Sequence, residues 1–434
     1  MKRILLLLMA LLVMSTVFSG YALADSLHNF DEKVAIELAD HFIEEYENAI
    51  ETLKMPNFDY VDRNDDTAMF LERLRYKIEF ARSFHTNYEN IELNPIEVLS
   101  YTSVDEHTIL LEVYKSCKFH YVTAPVEQIS GHGMYYFITI KNTSEGPMIT
   151  ALSTDSNDFK SFDDEMKALA KNENTSILCA AKELSDKKIA ALPETLAFWE
   201  EQNRLFDAKY VEGDWDDVLI DDTTSSPNTR SVNVSFSRSS AVAYAQAFGD
   251  QTQNYIFKRM SADCTNFVSQ CLWAGYGGTA GYSLTNTTAL KARVAANYRQ
   301  TSTWYGRNYD STHTTTAGAF MRVLELWNHA TSNTGNGPRA TGYNNGNVWT
   351  SLSVVPRTGD VLQFYSFSKS RYNHSVIVSS TNSPTLSNML DRVWVCQHSG
   401  DYVDRPLSET LDDNGGITNG KIRLMRPNNS TFSS

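Results

Sequence analysis

The sequence has no CxxC pair and no Cys/His cluster at zinc-ligand spacing, which removes the common structural zinc folds. It has no Gly-rich phosphate loop and no dinucleotide fingerprint, so nucleotide and nicotinamide chemistry have no foothold. Asp310, Asp360 and Asp404 have no visible carboxylate partners for paired acid–base hydrolysis. After the N-terminal segment no stretch is long and apolar enough to span a bilayer. Cysteine is scarce and odd in number: Cys117, Cys179, Cys264, Cys271 and Cys396. Five thiols cannot all pair within one chain, so at least one calls for another explanation. Whether Cys271 and Cys396 pair stays open at this level. No metal and no cofactor is implied.

What is present begins with MKRILLLLMALLVMSTVFSGYALA. Lys2 and Arg3 precede a long apolar run, and Ala22-Leu23-Ala24 places small residues at a cleavage position, so residues 1–24 read as a secretory signal peptide. The mature chain is then expected to be soluble and outside the cytoplasm, secreted or associated with a cell wall. The charge is divided: residues 25–233 carry 19 Lys+Arg against 41 Asp+Glu, and residues 234–434 carry 17 against 11. An acidic first half argues against nucleic acid as a partner. A mildly basic second half suits an anionic surface.

Apolar residues recur at helical spacing over 30–52 and 67–85, and then the pattern alternates from about 92 to 152 with β-branched and aromatic residues. Helical spacing returns at 161–171 and 176–208. The order predicts an α+β N-terminal domain over 25–220. Two helices followed by a meander resemble a nuclear-transport-factor-like cone in element order. Residues 221–239 are rich in Ser, Thr and Asn and read as a linker or an extended strand leading into a second domain over 240–434.

In that second stretch, Asp263-Cys264-Thr265-Asn266-Phe267-Val268-Ser269-Gln270-Cys271-Leu272 follows a polar turn, and Cys264 falls where a helix should begin. The positive end of a helix dipole favours a thiolate and lowers its pKa, as a nucleophile requires. Cys264 and Cys271 are seven residues apart, about 10 Å along a helix, so they do not pair with each other. His374 opens the apolar strand Ser375-Val376-Ile377-Val378, where a base is rigidly held yet reachable from a loop. On the later strand DRVWVCQHSGD, His398 is a candidate to orient His374, with Gln397 and Asp401 as rivals. Only one face of a strand points at a site, so Gln397 and His398 exclude each other. The Cys264 backbone N–H is the natural first oxyanion donor, and Tyr244 is a side-chain candidate that serves equally well as a core aromatic.

DCTNFVSQCLWAG, GDVLQF…HSVIV and QHSGDYVDRPLSE resemble, in this order, the putative amidase domain family of bacterial exported proteins, related to the papain-like NlpC-type and CHAP-type cell-wall hydrolases. The resemblance spans about 240–428. It implies a papain-like cysteine hydrolase domain with Cys264 as nucleophile, His374 as base and His398 as the third polar residue. Thr265-Asn266 stands where NlpC-type sequences have Ser-Gly, and the insertion 277–356 is long. The implied activity is hydrolysis of an amide bond, in peptidoglycan peptides given the export signal. The alternative is a non-catalytic wall- or protein-binding module on a hydrolase-like fold. A third role is ligand binding or partner docking by the N-terminal domain, whose partner the sequence does not reveal and whose His120 and His132 read as structural. Trp273, Trp304, Trp327, Trp349 and Trp394 read as core or groove lining, His313 as surface, and 332–347 as a loop.

Overall fold

The computed structural model describes residues 31–210, 231–250, 256–260, 262–307, 316–343, 354–384 and 388–433. The expected signal segment, residues 221–230 of the expected linker, Asp310, His313 and Trp349 lie outside them.

The first half contains α1 (Glu32–Thr52) and α2 (Ala68–Phe84), then β1 (Tyr88–Leu93), β2 (Glu97–Asp105), β3 (Thr108–Tyr121), β4 (Ser130–Thr143) and β5 (Gly146–Ser153). A 3-10 turn at Asn157–Phe159 leads to α3 (Lys160–Glu173) and α4 (Ile177–Tyr210). Asp31 caps α1 by accepting the Lys33 amide at 2.9 Å. Ala35, Ala39, Phe42, Ile43, Tyr46 and Ile50 recur at three- and four-residue spacing and are buried. That stripe meets the inward residues of β3 and β4, such as Leu111, Val113, Tyr136 and Ile138, in one core.

The second half contains β6 (Ser231–Val234), α5 (Arg238–Phe248), α6 (Cys264–Gly275), α7 (Thr287–Ala295), α8 (Gly318–Met321) and α9 (Val323–Ser332). It continues through β7 (Gly337–Tyr343), β8 (Val361–Ser366), β9 (Arg371–Thr381), α10 (Met389–Arg392), β10 (Val393–Gln397), β11 (Asp401–Pro406), α11 (Leu407–Asp413) and β12 (Ile422–Ser433). The strand β6 falls inside the segment expected to be linker and pairs with the end of β12. Among the described residues all strand ladders are antiparallel, so the chain is an α+β protein.

The two halves share one sheet, in the order β1-β3-β4-β11-β10-β9-β8-β12-β6. The junction is short: Asp401, Tyr402 and Val403 of β11 pair with Gly133, His132 and Gly131 of β4. The second-half sheet is covered on both faces. Ile377, Val361 and Cys396 pack under α5 and α6. Val376, Val378, Val393 and Val395 pack against Leu407, and against Phe80, Leu192 and Trp199 from the first half. The first half therefore supplies part of the core of the second.

A buried ionic cluster accompanies this contact. Arg405, fully buried, pairs with Asp158 at 3.2 Å, Glu409 at 3.4 Å and Asp413. Arg73 meets Asp413 at 3.1 Å and Lys77 meets Asp412 at 3.0 Å. Burial pushes the Asp413 carboxyl up, but Lys77, Arg73 and Arg405 together hold it far below the usual carboxylate range. Asp360, read from sequence as lacking a carboxylate partner, has two arginines instead: Arg238 at 2.8 Å and Arg426 at 2.9 Å. These pairs tie α5 to β12. All five cysteines are free, and Cys271 and Cys396 lie in one core without a disulfide. Trp273, Trp304 and Trp394 are buried.

Candidate active site

Cys264 is the first residue of α6, so its sulfur lies at the positive end of that helix. The helix start is held by Asp263 just before it. Oδ1 of Asp263 accepts from the Met260 amide at 2.7 Å and from Asn266 Nδ2 at 2.8 Å, and Oδ2 lies 2.5 Å from His398 Nδ1. The Asp263 amide donates to Ser399 Oγ at 3.0 Å. A second tie runs from Thr265 Oγ1 to Ser375 Oγ at 3.0 Å, with Gln363 Nε2 donating to the same hydroxyl at 3.2 Å. Thr265 and Asn266, the two departures from the Ser-Gly pattern, thus fix the helix start against β9 and against the preceding loop.

The sulfur rests against an open strand edge. Within the ladder, β10 pairs with β9 from Val393↔Thr381 to Cys396↔Ile377 and goes no further. Beyond that point, Cys264 Sγ lies 4.0 Å from the Asn373 carbonyl, and the Ser375 amide donates to it. Burial raises the Cys264 pKa. The hydrogen bond and charge of His374 outweigh it, helped by the Ser375 amide and the Thr265 hydroxyl, and the thiol ends below its ordinary value. Neither ring nitrogen of His374 has a well-formed hydrogen bond. The two side chains are in reach of each other but not aligned, as is common before substrate binds.

Sequence reasoning placed these residues in an open cleft. Cys264 is only 4% exposed and His374 1%, because the sulfur packs against the strand instead of standing over a groove. A cavity of about 850 Å³ lies beside them, bounded by α3, α4 and the β8–β9 hairpin. Asn373, adjacent to His374, lines it, as does Lys369, which donates to Asn373 Oδ1 at 3.1 Å. Its lining carries both signs, with Lys160, Lys188 and Lys421 facing Asp164 and Glu165.

His398 does not take the role expected of it. Its Nδ1 meets Asp263 and its Nε2 lies 2.8 Å from the Phe248 carbonyl, and the ring stacks on Phe267 at 3.9 Å. Both partners are acceptors, so neither nitrogen is left for His374. The residue lies in the turn after β10, on the α6 side. Tyr244 is also displaced from the oxyanion role, since its hydroxyl donates to Gln270 Oε1 at 2.8 Å. Gln270 is six residues past Cys264, roughly 9 Å down the helix. Gln397 points to the opposite face, where Nε2 donates to Asp158 Oδ1 and the Gly400 carbonyl, both at 3.2 Å, and Oε1 is buried without a partner. Asp401 is held in a bidentate pair by Arg259 at 2.7 and 2.9 Å.

These placements separate two classes of variant. Tyr244→Phe should leave turnover within about threefold, whereas removal of an oxyanion donor costs about 100- to 1,000-fold, so initial rates decide the matter. His398→Ala should cost about 3–5 kcal/mol in urea unfolding, since Asp263 would be buried without its partner. A loss of only a few tenths of a kcal/mol would contradict that structural role.

Residues 235–420 match the family described as a putative amidase domain. An amidase domain implies a hydrolase acting on amide bonds. No curated protein matches the sequence. Among solved structures, the intermembrane space region of the chloroplast protein ARC6 aligns at 15% identity with a TM-score of 0.20, covering 27% of this chain and 95% of that one. Among the described residues no helix is long and apolar enough to cross a membrane.

Proposed function

We propose that the chain is an exported cysteine amidase or peptidase of papain-like architecture, hydrolysing an amide bond in peptidoglycan peptides, with Cys264 as nucleophile and His374 as base. The observation that carries this reading is the Cys264 sulfur at the start of α6, its pKa pulled down by His374 although burial opposes it. A helix-borne thiol laid against an antiparallel strand bearing the imidazole is what supports the papain-like assignment. The two helices on the β3–β4 face support a cone-like N-terminal unit. Export rests on the N-terminal segment Met1–Ala24, and peptidoglycan on export together with the family.

The chemistry follows from the groups in place. His374 takes the Cys264 proton and the thiolate attacks the amide carbonyl. The developing oxyanion is met by the Cys264 backbone N–H at the helix start. His374 protonates the departing amine, and water then hydrolyses the thioester with His374 as base. Strand alternation puts His374 with Val376 and Gln397 with Val395, on one face of the sheet. We assign Gln397 as the orienting residue: its Oε1, without a hydrogen-bond partner, shares that face with the His374 ring, and Asp158 from the first half holds its amide nitrogen. Substrate reaches the dyad after the buried surround parts, and the adjoining cavity of mixed charge suits a peptide carrying both amine and carboxylate groups.

Burial of the dyad favours the second reading, a non-catalytic module for a wall or protein ligand. Iodoacetamide labelling separates the two. In the catalytic reading Cys264 alkylates with a midpoint below the ordinary thiol pKa of about 8.5, and His374→Ala moves that midpoint upward. A thiol that resists alkylation through neutral pH in the presence of a peptidoglycan fragment supports the binding module.

A further inference from the structure

Far from the dyad, three side chains of different elements converge in the core of the first half. Glu47 comes from α1, Cys117 from β3 and His132 from β4. Cys117 and His132 face each other across the β3–β4 ladder, and α1 lays Glu47 over them. All three are buried, at 5%, 1% and 6% exposure. One donor atom from each lies within 4.8 Å of the other two. Wide separation in sequence hides the set from any reading of local spacing.

We propose that Glu47, Cys117 and His132 bind a divalent transition-metal ion of the zinc class. A carboxylate, a thiolate and an imidazole are the ligand types such an ion takes. The separations agree. His132 Nδ1 stands 3.5 Å from Glu47 Oε1, too long for a charge-assisted hydrogen bond of about 2.7–2.9 Å. It is close to the edge of about 3.3 Å that ligand bonds of about 2.0 Å set in a tetrahedral site. The surroundings are those of a held site. Tyr136 donates to Glu47 Oε1 at 2.9 Å, and the His132 ring stacks on Tyr402 at 4.3 Å. Supporting contacts of this kind orient ligands.

A second, independent feature points to an occupant. A cavity of about 40 Å³ touches Glu47 and His132, and Tyr46 lines it with a buried hydroxyl that makes no well-formed hydrogen bond. That volume holds a water able to complete a fourth position. One carboxylate and one thiolate neutralise a divalent ion, while the three cations lining the same cavity are each already paired, Arg73 with Asp413, Lys77 with Asp412 and Arg405 with Glu409. On binding, the Cys117 S–H bond is replaced by a sulfur–metal bond and its proton leaves to solvent.

The test uses the full chain, stripped with a chelator and titrated with Zn²⁺ and with Co²⁺. One equivalent of Zn²⁺ should bind and raise Tm by several degrees. Co²⁺ should give a thiolate-to-cobalt charge-transfer band. Cys117→Ser and His132→Gln should lose the band, and Cys264→Ala should keep it, which assigns the sulfur. The Cys264→Ala protein needs no change in the first-half core, so it reads the site even if the other variants fail to fold. Substoichiometric zinc, or a cobalt spectrum without the thiolate band in both wild type and Cys264→Ala, would overturn the proposal and leave a neutralised Glu–His–Tyr core cluster.

Discussion

Cys264→Ala protein is expected to release none of the fragments that wild type frees from purified peptidoglycan, a loss of at least about 10,000-fold, because attack and proton transfer fail together. His374→Ala should fall to a similar floor, and the double variant should be no worse, since the two groups act as one unit. Mass spectrometry of the released fragments gives the readout and names the scissile bond. The proton arithmetic sets the pH dependence. The Cys264 thiol is depressed below its ordinary value, so the reactive thiolate is present at lower pH than in a free cysteine and disappears as pH falls through that depressed value. Identical fragments from wild type and Cys264→Ala would end the cysteine mechanism.

Arg405→Met should be the most damaging single change away from the site. It leaves Asp158, Glu409 and Asp413 buried with one cation fewer. Removing one partner of a buried ion pair costs about 3–5 kcal/mol, which urea unfolding at pH 7 measures. Asp413 has a folded pKa below its unfolded value. Its contribution is therefore complete above the unfolded carboxylate pKa of about 3.9 and is lost as pH falls further. The gap between wild type and Arg405→Met should accordingly shrink below about pH 4. A gap that stays constant down to acid unfolding would show that the lost packing of the arginine, and not its charge, carries the effect.

The parts of this architecture that were legible in sequence are the local ones. Helical spacing marked α1 and α2, and alternation marked β3 and β4, because each buries chiefly one face and its own residues record that face, whereas β9, buried on both faces, showed as a short apolar run. Cys264 stood out since a polar turn and an apolar stripe together place a helix start. His398 went astray for a definable reason. Strand periodicity says that Gln397 and His398 point apart, but not which of them faces α6. That depends on Asp263 and the Phe248 carbonyl meeting the imidazole. Tyr244 was ambiguous in the same way, because the helix face it lies on is set by Gln270. The contact between the halves was invisible. The β4–β11 ladder spans only three residue pairs, and Gly400 marks nothing by itself. Its φ of +76° and the 2.4 Å that would separate a Cβ from Asp158 Oδ2 explain the glycine only once both halves are in place.

The shared sheet also constrains how the protein comes into being. The outer side of β4 near Gly131–Gly133 is filled by Asp401–Val403, residues made some 270 positions after it. Until they arrive, backbone donors and acceptors there have no partner, and the apolar side of α2 around Phe80 and Phe84 has no strand to cover. A chain cut short before residue 401 keeps a bare strand margin that another copy can occupy. Synthesis through residue 403 is thus a condition for the acidic half to be finished.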